Sequence, residues 1–595
     1  MGGIYGDDPQ YRTEIRDGMR IEWDVPIEMD DGNVLRADIF RPKGKGVFPV
    51  IMSHGPYAKG LSFQEGYGTA WNIMVEKFPE VAEGTSNKYA NWEVVDPEKW
   101  VPDGYAVIRV DSRGSGRSPG VVDVRSPRET KDFYNCIEWA GIQPWSNGKV
   151  GLNGISYYAI NQWHVARLKP PHLAAMCVWE GAGDYYRDSN YHGGILSTFV
   201  PNWYDKQVES VQHGLGKNGP RSAVHGDLVC GPPTFSKAKL KKNRADLPGE
   251  LRKRKLDDDW YRGRSADWSQ VEVPFLSAGN WGGQGLHPRG NIEGFVNAAS
   301  KQKWLEMHGR EHWTEFYTDY GLDLQKRFFG HFLKGEDTGW QKQPKVLLNI
   351  RHPGEAFVPR AEKEWPLKRT RWTKRFLHPA SGALVSKAPD RKGTATYAGL
   401  GDGITFLTPA EDKPVEITGP LAAKLFVSSE TKDADLFLVV RLFAPDLKEV
   451  TFKGALDPHT PIAQGWLRAS HRNLDPKKSR RYRPYHTHDE AQPLKPGRVY
   501  ELDIEVWPTS IVVPPGYRLG LTVRGRDYVY PGGSGGKLSN MKNEFTGVGP
   551  FIHDGRDARV YGGNVTIHCG PKHPSHLMLP VIPENTRERP SRKQK

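Results

Sequence analysis

One serine stands where acyl-transfer chemistry could be done. In Gly151-Leu-Asn-Gly154-Ile-Ser156-Tyr-Tyr-Ala159 an apolar run ends at Ser156 and a helical pattern begins. A nucleophile at such a bend needs a small residue two positions earlier, because the backbone turns sharply there, and Gly154 supplies it. The hydroxyl would then project at a helix N-terminus, where the dipole and free N–H groups favour developing negative charge. The second small residue of the G-x-S-x-G pattern is replaced by Tyr158, so the motif is half met. A plain N-cap serine would occupy the same position.

A serine needs a base to take its proton, and His312 in Glu306-Met-His-Gly-Arg-Glu-His312-Trp313 follows the last apolar strand of the first half. Serine first and histidine last is the chain order of this type of site. His308 competes, but within a strand end it reads as a packed core histidine. Oxyanion donors are the backbone N–H of Tyr157 and the phenol of Tyr57, which follows His54-Gly-Pro; the alternative for Tyr57 is a loop aromatic packed under a cap. Asp111-Ser-Arg113-Gly-Ser-Gly-Arg-Ser-Pro119 reads as a tight return loop pinned by an Asp111–Arg113 pair.

These side chains must be held by a sheet. Near-continuous apolar runs at 48–53, 105–110, 150–155, 173–179, 273–278 and 304–308 alternate with helical patterns at 129–141, 157–168 and beyond 320. That predicts a parallel sheet covered on both faces. Residues 184–270 are rich in Trp, Tyr, Gly and basic side chains and predict a cap inserted over the strand ends. From about residue 345 short alternating runs separated by turn residues, among them 345–350, 423–427, 435–442, 500–506, 517–523 and 558–561, predict an antiparallel sandwich or jelly roll. The domain boundaries drawn are 1–183 with 271–342, 184–270, and 343–595.

The chain has 595 residues with 83 Lys and Arg against 70 Asp and Glu, a net charge of +13. The excess sits in Lys237–Arg244, Arg252–Lys255, Lys477–Arg481 and the tail after Arg587. None lies in a nucleic-acid-binding pattern, so each reads as a solvated loop, and no nucleic-acid partner is expected. Four cysteines are too few for a disulfide scaffold. No apolar leader or 18-residue apolar run occurs, so a soluble cytoplasmic protein with no membrane partner is expected. His486-Thr-His488-Asp489 could chelate a metal but reads as an exposed histidine pair. No P-loop or dinucleotide fingerprint occurs, and no cofactor is expected.

Taken together, Pro56-Tyr57, Asp111–Gly120, Gly154-Ile-Ser-Tyr157, His312, Phe328–Gly335 and Pro515-Gly-Tyr-Arg-Leu519 resemble the cocaine esterase, α-amino-acid ester hydrolase and X-Pro dipeptidyl-peptidase group of serine hydrolases. The resemblance spans most of the chain. It implies an α/β-hydrolase fold with a helical cap and a C-terminal jelly roll, Ser156 as nucleophile, His312 as base, and Tyr57 O–H with Tyr157 N–H as oxyanion donors. Two positions depart from it. Ala159 replaces a glycine three after the serine, and Gly283 stands where the family carries its triad Asp, with no acid between Val273 and Glu293. Without an acid the imidazole loses the group that fixes its tautomer, a loss of around 10⁴-fold in rate. Glu180, at the end of the preceding strand, is the acid assigned; Asp184, Asn280, a backbone carbonyl, or an inactive relative are the other outcomes. The reading is a serine hydrolase of a small carboxylic ester or amide, with a homo-oligomer possible. Acyl transfer at the same serine, or a binding protein on a hydrolase scaffold, are the alternatives.

Overall fold

The computed structural model describes residues 8–536 and 545–584. The basic tail after Arg587 lies outside them. The first half forms strands β1 (Arg12–Arg16), β2 (Met19–Glu28), β3 (Val34–Pro42), β4 (Phe48–Gly55), β5 (Ala106–Asp111), β6 (Ser146–Ile155), β7 (Leu173–Trp179), β8 (Phe275–Asn280) and β9 (Lys303–His308). β10 (Val346–His352) and β11 (Ala356–Glu362) continue the same sheet. Its order is β1-β2-β3-β5-β4-β6-β7-β8-β9-β10-β11. Pairing is parallel from β5 to β10 and antiparallel at both ends.

Helices α1 (Pro127–Gly141), α2 (Tyr157–Ala166), α3 (Pro288–Asn297) and α4 (Asp319–Phe329) pack on this sheet. α1 shows why these residues form helices. Ser126 caps its N-terminus by accepting from Glu129 N–H, and Phe133, Cys136, Ile137 and Ala140 fall on one buried stripe. Central strands such as β5 are buried at every residue, since helices cover both faces and each side chain meets apolar atoms whichever way it points. This is the α/β-hydrolase architecture.

Between β7 and β8 lies the insertion, built of short helices such as Phe199–Trp203 and Leu247–Lys253 around buried Tyr185, Tyr186, Trp203, Tyr204 and Tyr261. Arg187 ties it to the C-terminal domain. Its guanidinium pairs with Asp184 and Asp257 and donates to the carbonyls of His486 and Thr487. The remainder is a twelve-stranded, predominantly antiparallel β-sandwich closed around Leu425, Leu438, Leu502, Ile504 and Val523.

Four expectations change. The strand at 345–350, drawn into the second domain, pairs in parallel with β9 and so extends the first sheet. Residues 558–561 form a helical turn capped by Asp557 rather than a strand, because the cap takes the Arg559 N–H and an edge ladder is absent there. His486 and His488 are buried, and His488 Nδ1 meets His471 Nδ1 at 3.1 Å. Asp111 does not pair with Arg113. Its carboxylate accepts from the backbone N–H groups of Lys59 and Arg117, at 2.6 and 2.8 Å, while Arg113 goes to Asp132. The loop is pinned through its backbone.

Candidate active site

Ser156 sits between β6 and α2 with φ 54° and ψ −111°, a strained left-handed conformation for a residue with a side chain. Three hydrogen bonds hold it there: its N–H donates to the Trp179 carbonyl at 3.0 Å, and its carbonyl accepts from Ala159 N–H at 3.0 Å and from Ile160 N–H at 2.7 Å. The bend leaves no room two positions back. A Cβ on Gly154 would fall 2.5 Å from the Tyr158 Cβ and 3.1 Å from the Glu93 carbonyl. Tyr158, which replaces the usual second glycine, is accommodated by another glycine, since a Cβ on Gly55 would lie 2.6 Å from its Cε1.

Ser156 Oγ meets an imidazole, but it is His287, whose Nε2 is 3.4 Å away. His287 is the residue just before α3. Its ring stacks on that of His312, with centroids 5.0 Å apart and planes 12° from parallel. His312 itself is held between two carboxylates: Nδ1 lies 2.6 Å from Glu180 Oε2, and Nε2 lies 2.9 Å from Glu93 Oε1. Both rings and both carboxylates are buried, whereas Ser156 is partly exposed. Glu93 and Glu180 also adopt left-handed backbone conformations, with φ 63° and 51°. Three strained residues thus converge on one point, as functional sites often show.

Of the residues named from sequence, Glu180 and His312 are in direct contact, at the ends of β7 and beyond β9. Asn280 Nδ2 donates to Glu180 Oε1 at 3.2 Å and so braces that carboxylate. Asp184 turns to Arg187. His308 is packed as expected, with Nδ1 2.6 Å from Glu306, and its Nε2 is 3.4 Å from Glu180. The hydroxyl of Tyr57 accepts from Trp203 Nε1 at 2.9 Å, which leaves its own proton free to donate. Tyr157 opens α2, so its N–H has no acceptor within the helix. The Tyr157 phenol points away and donates to Glu129.

Burial alone would lower the His312 pKa, but the Glu180 carboxylate overrides it, with Glu93 adding, and pushes it up to about 10. Burial opposes the charged form of Glu180 too, yet the His312 and His308 imidazoles pull its pKa to about 2. Glu93 is raised to about 7, chiefly by burial. His287 is pushed well below the ordinary histidine value by burial and by the charge on His312. It is therefore a neutral imidazole beside the hydroxyl, with a cationic imidazole behind it.

His287 and Glu93 were missed from sequence. His287 ends the Gly279–His287 segment that follows β8, and its imidazole there is a readable signal. Glu93 lies in an irregular stretch with no pattern around it.

Residues 31–314 match the family model of the X-Pro dipeptidyl-peptidase (S15 family), and residues 338–578 match that of the X-Pro dipeptidyl-peptidase C-terminal non-catalytic domain. A CocE/NonD family hydrolase from Staphylococcus aureus of known structure is similar over 96% of each chain, at 32% identity and TM-score 0.83. The cocaine esterase of Rhodococcus sp. is 24% identical over 94% of this chain and 98% of its own. An α-amino acid ester hydrolase shares the fold at 15% identity and TM-score 0.64, over 98% of this chain and all of that one.

Proposed function

The chain belongs to the X-Pro dipeptidyl-peptidase (S15) and CocE/NonD family of serine hydrolases, and from that premise we propose that it cleaves a small carboxylic ester or amide through an acyl-enzyme on Ser156. The carrying observation is the strained Ser156 with a buried imidazole 3.4 Å from its Oγ. That distance is long for an O–H···N bond, and such contacts tighten when substrate binds.

In this reading Ser156 Oγ attacks the carbonyl carbon as its proton passes to His287 Nε2. The oxyanion is held by Tyr157 N–H and Tyr57 O–H. His287 then protonates the leaving group, and water deacylates the serine by the same route reversed. Charge balance gives the rest of the cluster its work. Above about pH 7, with Glu93 and Glu180 ionised and His312 protonated, the group carries one net negative charge. Protonation of His287 brings it to zero, so two carboxylates serve two imidazoles. With only one, two imidazolium rings about 5 Å apart would repel by about 3 kcal/mol at an effective dielectric of about 20.

A second reading keeps His312 as the base. It is favoured by the 2.6 Å Nδ1 contact with Glu180, the arrangement that fixes a catalytic imidazole's tautomer. It requires the His287 ring to move aside and His312 to leave Glu93.

Trp203, whose indole N–H donates to Tyr57, favours a flat apolar or aromatic acyl group beside the oxyanion donors. The test is covalent labelling with a fluorophosphonate together with hydrolysis of an aryl ester. Labelling must vanish in Ser156→Ala. If His287→Ala loses at least 10³-fold in kcat/KM and His312→Ala retains labelling, the first assignment of the base stands; the opposite pattern selects His312. Labelling that persists in Ser156→Ala overturns both.

A further inference from the structure

We propose that Glu180, His287 and His312, with Glu93 beside them, form a binding site for a divalent transition-metal ion of the zinc type, and that the ion switches the hydrolase off. One ring nitrogen from each histidine and one oxygen of Glu180 lie within 4.8 Å of one another, and all three residues are buried. Glu93 Oε1, 2.9 Å from His312 Nε2, lies across the ring from Glu180, so it holds the second ring nitrogen of His312 and leaves a fourth position of the ion to water.

Two further atoms of the cluster, His287 Nδ1 and Glu93 Oε2, are buried with no hydrogen-bond partner among the described residues. A lone pair without a partner in a dry interior is costly, and a cation satisfies it. The donor set selects the ion. Two imidazoles with carboxylates suit zinc and its neighbours, whereas calcium and magnesium take oxygen shells. Tetrahedral zinc with bonds of about 2.1 Å sets its donors roughly 3.4 Å apart, so Glu180 Oε2 and His312 Nδ1, now 2.6 Å apart, must part as the ion enters while the more distant donors close on it. Two carboxylates match the two charges of the ion. The exchange balances: the ion enters, and the proton that His312 holds between the carboxylates leaves to solvent. His308 stays outside the set, paired with Glu306.

Inhibition follows from His287. Once its ring nitrogen ligates a metal, Ser156 loses its proton acceptor. This half of the proposal rests on the proposed function; the binding half does not.

The experiment uses the full chain stripped with a chelator. Cobalt(II) titrated into the Ser156→Ala protein is expected to give one equivalent with the intense visible bands of a tetrahedral site, and zinc is expected to displace it. His287→Ala is expected to weaken zinc binding at least tenfold by calorimetry. If that variant fails to fold by circular dichroism, Glu180→Gln takes its place with the same expectation. Fluorophosphonate labelling of the unaltered protein is expected to fall at least tenfold with saturating zinc and to return on chelation. Absence of a stoichiometric cobalt spectrum, or zinc binding unchanged in the folded variant, overturns the site. Zinc bound with labelling unchanged overturns the inhibition. Absence of labelling without metal overturns the serine reading, and the cobalt spectrum alone then decides the metal site.

Discussion

The replacement of the elbow's second glycine by Tyr158 makes Gly55 a sensitive position. Gly55→Ala would set a methyl group 2.6 Å from Tyr158 Cε1 and 3.1 Å from its Cδ1 and Cζ. Carbon atoms in contact prefer about 3.5–4.0 Å, so the overlap is about 1 Å. The ring has little freedom to yield, because it is buried and packs against Tyr57 at a centroid distance of 5.6 Å. The displacement passes to α2, which carries the Tyr157 N–H and follows directly on Ser156. Overpacking of this kind costs about 1–3 kcal/mol of stability. A misplacement of about 1 Å at the nucleophile costs roughly 10²-fold in kcat/KM. Tyr158→Ala creates room for the methyl group but leaves a cavity, at about 3–5 kcal/mol. In Gly55→Ala/Tyr158→Ala the overlap is gone. The pair is expected to be less damaging than the sum of the singles, with a coupling of about 1–3 kcal/mol. Thermal unfolding and aryl-ester kinetics on the four proteins measure it. A Gly55→Ala protein within twofold of the parent in kcat/KM and unchanged in Tm, or strict additivity in the double variant, would refute the reasoning.

Ser156→Gly and Ser156→Ala are both expected to be inactive, with the glycine variant more stable by about 1 kcal/mol, since only glycine accepts φ 54° without strain; thermal unfolding of the two decides. Glu180→Gln removes the carboxylate that holds His312 and so separates the two assignments of the base: with His312 as base kcat/KM at neutral pH falls by roughly 10⁴-fold, and with His287 as base it falls far less. Ester kinetics check that figure, and Glu180→Asp should recover part of the loss. Arg187→Met removes a buried guanidinium from the half-buried Asp184 and Asp257 and from two backbone carbonyls at the junction of insertion and β domain. Denaturant unfolding should show a loss of about 3–5 kcal/mol, and limited proteolysis should open sites within 184–270.

The architecture was legible because it is written in short-range patterns. Apolar runs of strand length, the α1 stripe and the change to alternating runs after residue 345 each follow from a local period of side-chain direction. The edge strands were less so. β10 and β11 alternate like strands of the second domain, and only the pairing of β10 with β9, and of β11 with β10, assigns them to the first sheet.

Within the site the sequence alone determined the parts that depend on neighbours in the chain. A glycine two residues before a serine at a strand end predicts the strained bend, and Glu180 stands at the close of the next strand. What it could not determine was which side chains from distant loops face one another. Ser156 and His287 are 131 positions apart, and Glu93 and His312 are 219. No local period carries information over that span. Those meetings are decided by the order of strands in the sheet and by how the connecting loops pack over their ends, so the imidazole beside the serine, and the second carboxylate behind it, emerge only when the chain is folded.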